Sequence, residues 1–303
     1  MNQAEYHVGV VLPRGAASGD PLRTIAREAE ALGYASLWST EHIALPLEFT
    51  SRYPFSSDGR PSFKPTAKWF EGMVALGFVA GITERIRLGT AVIPLFNRDP
   101  LSLAKQAATV DCLSGGRLEL GVGAGWLTEE AAVLGHPADH RSKRLAEAID
   151  ILRRAWSPDP VQYRGDFYDI PAVGVSPKPP QGAELPIWIG GTSPAAIDTT
   201  VSRATGNILW TQDVDEVRRL CGELKERRAD VKVAVGLFYD PDLVNLGNRV
   251  LALRQAGVDR LLLSPPGDTA VAVRWLTDFR SEVMPSLGAG MSSQASGATR
   301  APD

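Results

Sequence analysis

The chain has 303 residues, a formal net charge of −3, a hydrophobic fraction of 44% and a charged fraction of 22%. That length is large for one domain unless the fold is an α/β barrel, a class that runs to about 250 residues and beyond. The charge balance argues against nucleic acid or an anionic membrane as partner. No apolar run approaches the roughly 18 residues a membrane span needs, and the opening MNQAEYHVGVV has no leader-like region, so a cytoplasmic location is expected.

Residues 7–12 read as a strand leading into a helix over 20–32, with Asp20 as N-cap, Pro21 at the first helical position and Gly33 as stop. Leu22, Ile25, Ala29 and Leu32 form its apolar stripe. A second strand over 35–40 runs into Glu41-His42. The polar and aromatic stretch 46–65 is longer than compact domains usually leave unstructured, which favours a lid or binding loop. A helix over 68–83 is expected next. The run 86–95 has strand character, Asp99-Pro100 starts a helix rich in alanine, and Ser114-Gly115-Gly116 breaks it. Residues 118–122 form the fourth strand, ending in Gly121, Gly123, Gly125 and Trp126.

A loop with Glu129, Glu130, His136 and His140 then precedes a helix over 141–156. Residues 157–185 read as an irregular insertion rich in proline and glycine. Strands at 186–191, 207–210, 232–238 and 259–263 alternate with helices starting at Ser193-Pro194 and spanning 214–228, 243–256 and 269–284. Eight strand–helix pairs in unbroken alternation predict an α/β fold: a single closed (β/α)8 TIM-like barrel over 1–287. Lid insertions are expected after strands two and four and between helix four and strand five. Residues 288–303 are small and polar and read as a disordered tail.

Barrel active sites lie at the C-terminal strand ends, and that rule sorts the histidines. His7 precedes its strand and belongs to the stability face. His42 sits at the top of strand two, where a neutral imidazole can give or take a proton. Glu41 points to the other side of an extended strand, which disfavours a dyad between these neighbours. His136 and His140 flank Pro137, which works against helical metal-ligand spacing, and no metal is expected. Cys112 and Cys221 lie on predicted helices and read as small apolar fillers.

Glycines at the end of strand four let a flat, phosphorylated ligand approach the backbone, although Gly-X-Gly-X-Gly alone is equally compatible with a turn. It lacks the third glycine and following helix of a nicotinamide Rossmann site. Gly190, Gly191, Thr192 and Ser193, at the top of strand five and opening a helix, form a second candidate, a phosphate site. An ordinary Ser-Pro helix start is the alternative there.

Taken together, LWSTEHIALP, IRLGTAVIPL, NRDPLSLAKQAATVDCLSGGRLELGVGAGW and PIWIGGTSPAA resemble the bacterial luciferase-like monooxygenase superfamily, in particular the actinobacterial-type branch of F420-dependent oxidoreductases. The similarity extends to about Leu287 and includes YPFSSDGRP and the SPKP segment. The resemblance implies a TIM-like barrel, often a homodimer, with His42 as the catalytic histidine. It implies a non-proline cis peptide at Ala91-Val92 behind the cofactor ring, so Thr90, Ala91 and Val92 would contact the cofactor. Gly123, Ala124, Gly125 and Trp126, with Gly190, Gly191, Thr192 and Ser193, would carry its ribityl and phosphate groups. The implied cofactor is coenzyme F420, with FMN as alternative. The implied activity is hydride transfer to or from a small, apolar organic substrate, with Tyr53, Phe55, Trp69 and Phe96 as candidate substrate contacts. The alternatives are a two-component FMN monooxygenase fed by a separate reductase, or a catalytically inert flavin-binding protein. Trp126 stands where some deazaflavin dehydrogenases carry an acidic residue, which leaves the reaction direction open.

Overall fold

The computed structural model describes residues 6–15, 18–56, 58–211 and 213–288. Strand β1 (His7–Val11) is followed by α1 (Asp20–Ala31) and β2 (Ser36–Ser39), and a long irregular segment leads to α2 (Gly72–Ala80). Then come β3 (Arg87–Thr90), the short β4 (Ile93–Pro94), α3 (Pro100–Ser114), β5 (Leu118–Gly123), α4 (Thr128–Val133) and α5 (Arg141–Trp156). An antiparallel hairpin, β6 (Val161–Arg164) and β7 (Asp169–Val173), precedes β8 (Ile187–Gly190). The alternation continues through α6 (Pro194–Arg203), β9 (Gly206–Leu209), α7 (Val214–Arg227), β10 (Lys232–Phe238), α8 (Leu243–Gln255), β11 (Arg260–Ser264) and α9 (Thr269–Asp278). A π turn, Phe279–Val283, and the short α10 (Met284–Gly288) follow. Parallel pairs run β3-β2-β1-β11-β10-β9-β8-β5, and β5 returns to β3 through Leu88↔Leu118 and Gly89↔Glu119. The sheet is therefore a closed eight-stranded barrel, with β4 continuing the third strand.

Large rings fill the barrel because neighbouring strands supply glycine. Val11, Trp38, Ala91, Trp188, Ile208, Ala234 and Leu262 form the inner cluster. A Cβ at Gly9 would lie 2.7 Å from Trp38 Nε1, and one at Gly206 2.6 Å from Trp188 Cζ3. Glycine weakens a strand, but here it makes room for two indoles packed edge to face at 6.1 Å. Beneath them Glu119, 3% exposed, pairs with Arg87 and with Arg260 at 2.6 Å and accepts from Trp188 Nε1 at 2.8 Å. Burial pushes its carboxyl up, but the Arg260 and Arg87 guanidiniums outweigh that and hold it below the ordinary range.

Several element ends differ from the sequence expectation, each for a local reason. Gly19, not Asp20, is the N-cap of α1, and Asp20 is the first helical residue. α2 starts at Gly72 rather than at 68 because the Glu71 carboxylate caps it, accepting from Val74 N at 2.6 Å. The cis peptide implied by the resemblance is present between Ala91 and Val92, and it splits the strand expected over 86–95. Across the split Thr90 Oγ1 donates to Gly121 O at 2.7 Å and accepts from Gly121 N at 2.8 Å, standing in for missing ladder bonds. The helix expected over 269–284 is interrupted by the π turn, which keeps Phe279 and Val283 both inward.

The insertion 157–185 is not a lid. It contains the β6–β7 hairpin, which runs along the outside of α5: Glu147 accepts from Asp166 N at 2.9 Å, and Arg144 lies over Phe167 at 4.5 Å. The hairpin tip reaches His140 and Arg144 at the start of α5, but no residue of 157–185 lines the cavity at the strand tops. The segment after β5, expected as a loop, holds α4. Cys221 is buried as expected, but Cys112 is exposed, its thiol 3.4 Å from the Lys178 carbonyl. Gly288 closes α10, and 289–303 lie outside the described residues.

Candidate active site

A cavity of 1310 Å³ opens at the C-terminal strand ends. His42 enters it just beyond β2 and is 9% exposed. Its Nδ1 lies 2.7 Å from Oε2 of Glu130, in the first turn of α4. The other Glu130 oxygen accepts from Ile43 N at 2.6 Å and Ala44 N at 3.0 Å. Burial opposes the charge on Glu130, but the histidine and the two amides outweigh it and hold the carboxyl below its ordinary range. An ionised carboxylate only accepts, so neutral His42 carries its proton on Nδ1 and keeps an Nε2 lone pair. Rings of Trp69, Phe63 and Trp126 surround the imidazole at 5.1, 5.6 and 5.8 Å.

Strand alternation sends Glu41 the other way. It pairs with Arg98 and accepts from Gly72 N at 2.8 Å. Burial pushes its carboxyl up against the pull of Arg98. The histidine is thus partnered by an acid 88 residues away rather than by its neighbour.

Residues 51–56 and Phe63, from the loop expected over 46–65, line the cavity. Tyr53 stacks edge-on to Trp126 at 5.2 Å and to Phe55 at 5.3 Å, and Phe55 reaches Trp210 above β9 at 6.4 Å. Glu129 ties the loop down, accepting from Thr50 N at 2.7 Å and Ser51 N at 3.0 Å. Burial works against its charge, yet the Ser51 and Thr50 donors bring its carboxyl down to about 2.

At the ends of β5 and β8 the cavity is walled by closely approaching backbone. Val92 lies between the ends of β5 and β8: a Cβ at Gly123 would come within 3.0 Å of it and one at Gly190 within 2.9 Å. Gly125 has φ 71°, and a side chain there would collide with the Phe96 ring. Beyond β8, Ser193 caps α6 by accepting from Ala196 N at 3.2 Å, and Gly191 has φ 124°. Arg141, at the start of α5, donates to Gly125 O at 2.7 Å. The α6 N-terminus and Arg141 both line the cavity, and each suits an anion.

Tyr53, Phe55, Trp69 and Trp126 line the same cavity as His42, as do Ala91, Val92, Gly123, Ala124 and Gly125. Gly190, Gly191, Thr192 and Ser193 complete that wall. Thr90 and Phe96 do not line it: Thr90 is fully buried against Gly121, and Phe96, 8% exposed, lies beneath Gly125. Both support the wall from behind. Three buried polar atoms of lining residues, Thr40 Oγ1, Ser56 Oγ and Trp69 Nε1, have no hydrogen-bond partner among the described residues. Sequence reasoning missed Glu130, Arg141 and Arg14 as lining or positioning residues. The only available signal was the acidic pair in the first turn of a helix, which fits dipole stabilisation equally well.

The luciferase-like monooxygenase family model matches residues 3–242. An uncharacterised protein of Mycobacterium tuberculosis is 35% identical over 206 residues, 68% of this chain and 70% of its own length. The F420-dependent glucose-6-phosphate dehydrogenase of Microbacterium testaceum is 33% identical over 231 residues, 71% of this chain and 62% of that one. The F420-dependent tetrahydromethanopterin reductase of Methanopyrus kandleri superposes with a TM-score of 0.73 at 16% identity, covering 94% of this chain and all of that one, and so shares the fold.

Proposed function

The chain belongs to the luciferase-like monooxygenase family, and from that premise we propose that it is an F420-dependent oxidoreductase moving a hydride between the deazaflavin and a small organic substrate. The observation that carries the reading is the His42–Glu130 pair facing, across one cavity, a wall of glycine backbone. The residues fit a flat, phosphorylated cofactor. Gly123 and Gly190 bring the backbone close on either side of Val92, and the α6 N-terminus with Arg141 would take the phosphate. At 1310 Å³ the cavity exceeds the usual range of about 300–1,000 Å³, leaving room for a substrate beside the cofactor.

The bound deazaflavin supplies or accepts the hydride. His42 gives or takes the accompanying proton at Nε2, and Glu130 fixes the tautomer by accepting from Nδ1. Tyr53, Phe55 and Trp126 keep bulk water from the reacting face. A cytoplasmic homodimer belongs to the same reading.

Tryptophan quenching with oxidised F420 and with FMN tests it. Micromolar or tighter binding of F420, with FMN weaker, is expected. Preference for FMN would overturn the reading in favour of a monooxygenase fed by a reductase, and binding of neither would leave an inert protein. Replacing His42 by Ala is expected to lower turnover by about 10²–10⁴-fold while cofactor affinity changes little.

A further inference from the structure

The cavity has a second chemical pole, distinct from the phosphate corner. Arg14 lies just past β1, and its guanidinium sits over the rings of Trp69 at 5.0 Å and Phe63 at 5.5 Å. His42 packs against the same two rings, so the cation and the imidazole share one aromatic floor. The indole N–H of Trp69 is buried and has no hydrogen-bond partner among the described residues. Among the described residues no carboxylate is in ion-pair contact with Arg14. The acids lining the cavity are committed elsewhere: Glu41 to Arg98 and Gly72, and Glu216 to Thr211 at 2.6 Å beyond β9. Glu130 stands behind His42.

From this we propose that the substrate is a carboxylate on an apolar, aromatic-sized body, with Arg14 and the Trp69 N–H as its carboxylate subsite. The inference rests on the oxidoreductase reading and names its substrate class. Position separates this subsite from the cofactor's phosphate. In barrel order β1 stands opposite β8, whose end opens into Gly191 and Ser193, so an anion held there is on the far side of the mouth. A planar guanidinium offers two parallel donors that match a carboxylate, and the stacked rings keep it pre-oriented. A guanidinium and an indole donor set among ring faces suit a monoanion with an apolar body better than a dianionic phosphate ester with several hydroxyls, for which the Phe63, Trp69 and Tyr53 walls offer only the Tyr53 phenol as a further polar partner. An apolar body beside Phe63 and Tyr53 also places the carbon bearing the carboxylate, or one next to it, within the neighbourhood of His42.

The test is equilibrium binding of benzoate, its neutral isostere benzamide, and phenyl phosphate, followed by tryptophan fluorescence on the full chain with and without F420. Benzoate is expected to bind about tenfold or more tightly than benzamide, and more tightly than phenyl phosphate. Arg14→Gln should abolish the preference for benzoate over benzamide, Arg14→Lys should keep part of it, and F420 affinity should be unchanged in both. Equal binding of acid and amide, a preference for phenyl phosphate, a preference that survives Arg14→Gln, or no probe binding would each overturn the proposal. Because the probes are measured without cofactor as well, failure here with F420 still bound leaves the cofactor reading intact. Probe discrimination without F420 binding would do the reverse.

Discussion

Two buried carboxylates flank β5, one near each end of the strand, and they do opposite work. Glu119, near its start, is enclosed by groups that match it: two guanidiniums and an indole N–H. Everything it needs is inside the barrel, and nothing is left over to meet a ligand. Glu130, beyond the other end, has no lysine or arginine partner among the described residues. It spends its lone pairs on two amides and a histidine whose second nitrogen remains available. A closed network gives stability, whereas a network with one open valence at a cavity wall gives chemistry. Burial alone does not distinguish them, since Glu119 is 3% exposed and Glu130 1%.

The contrast breaks most visibly at Glu119. Glu119→Gln leaves Arg260 buried without its counter-ion and is expected to cost about 3–5 kcal/mol of stability, measured by denaturant unfolding. F420 affinity of the remaining folded protein should be unchanged. A loss below about 1 kcal/mol would show that the floor of the barrel tolerates an unpaired guanidinium.

Glu130→Gln should show the reverse profile. Misplacing His42 is expected to lower turnover by about 10²-fold with cofactor affinity preserved, and to move the pH profile of turnover, because the tautomer is no longer fixed. A purely structural role would lower stability without moving that profile.

The smallest effect sharpens the comparison at the lid. The Glu129 carboxyl is depressed from 4.5 to about 2 in the folded chain, so its contribution is fully present above about pH 4.5 and fades as pH falls toward 2. Hydrogen exchange at the Thr50 and Ser51 amides should therefore lose protection over that acid window. Glu129→Gln should remove the pH dependence. Protection that persists unchanged to pH 2 would mean the loop is held by its aromatic contacts alone.

Much of this was legible from the chain alone. Alternating strand and helix signals gave the barrel, and the rule that sites gather at strand tops selected His42 and the two glycine-bearing ends. Local chemistry also separated Glu41 from His42, since side chains alternate along an extended chain, and Glu41 turns to Arg98 while His42 turns to Glu130. What escaped was anything that depends on meeting across the barrel. The hairpin in 161–173 escaped because proline, glycine and a short apolar run do not say which partner strand, if any, is in reach, whereas the cis peptide that splits the third strand is implied by the family resemblance and not by periodicity. The motif match places Thr90 at the cofactor and Phe96 at the substrate, whereas packing turns Thr90 toward Gly121 and seats Phe96 beneath Gly125.

The sequence by itself determined the order of elements, the barrel and which strand ends face the site, because those follow from periodicity and capping within a few residues. Only the tertiary structure decided that Glu130 serves His42 and that Arg14 shares its aromatic floor. Those contacts join segments 88 and 55 residues apart, and a hydrogen bond at 2.7 Å or a guanidinium 5.0 Å from a ring centroid depends on how the whole barrel closes.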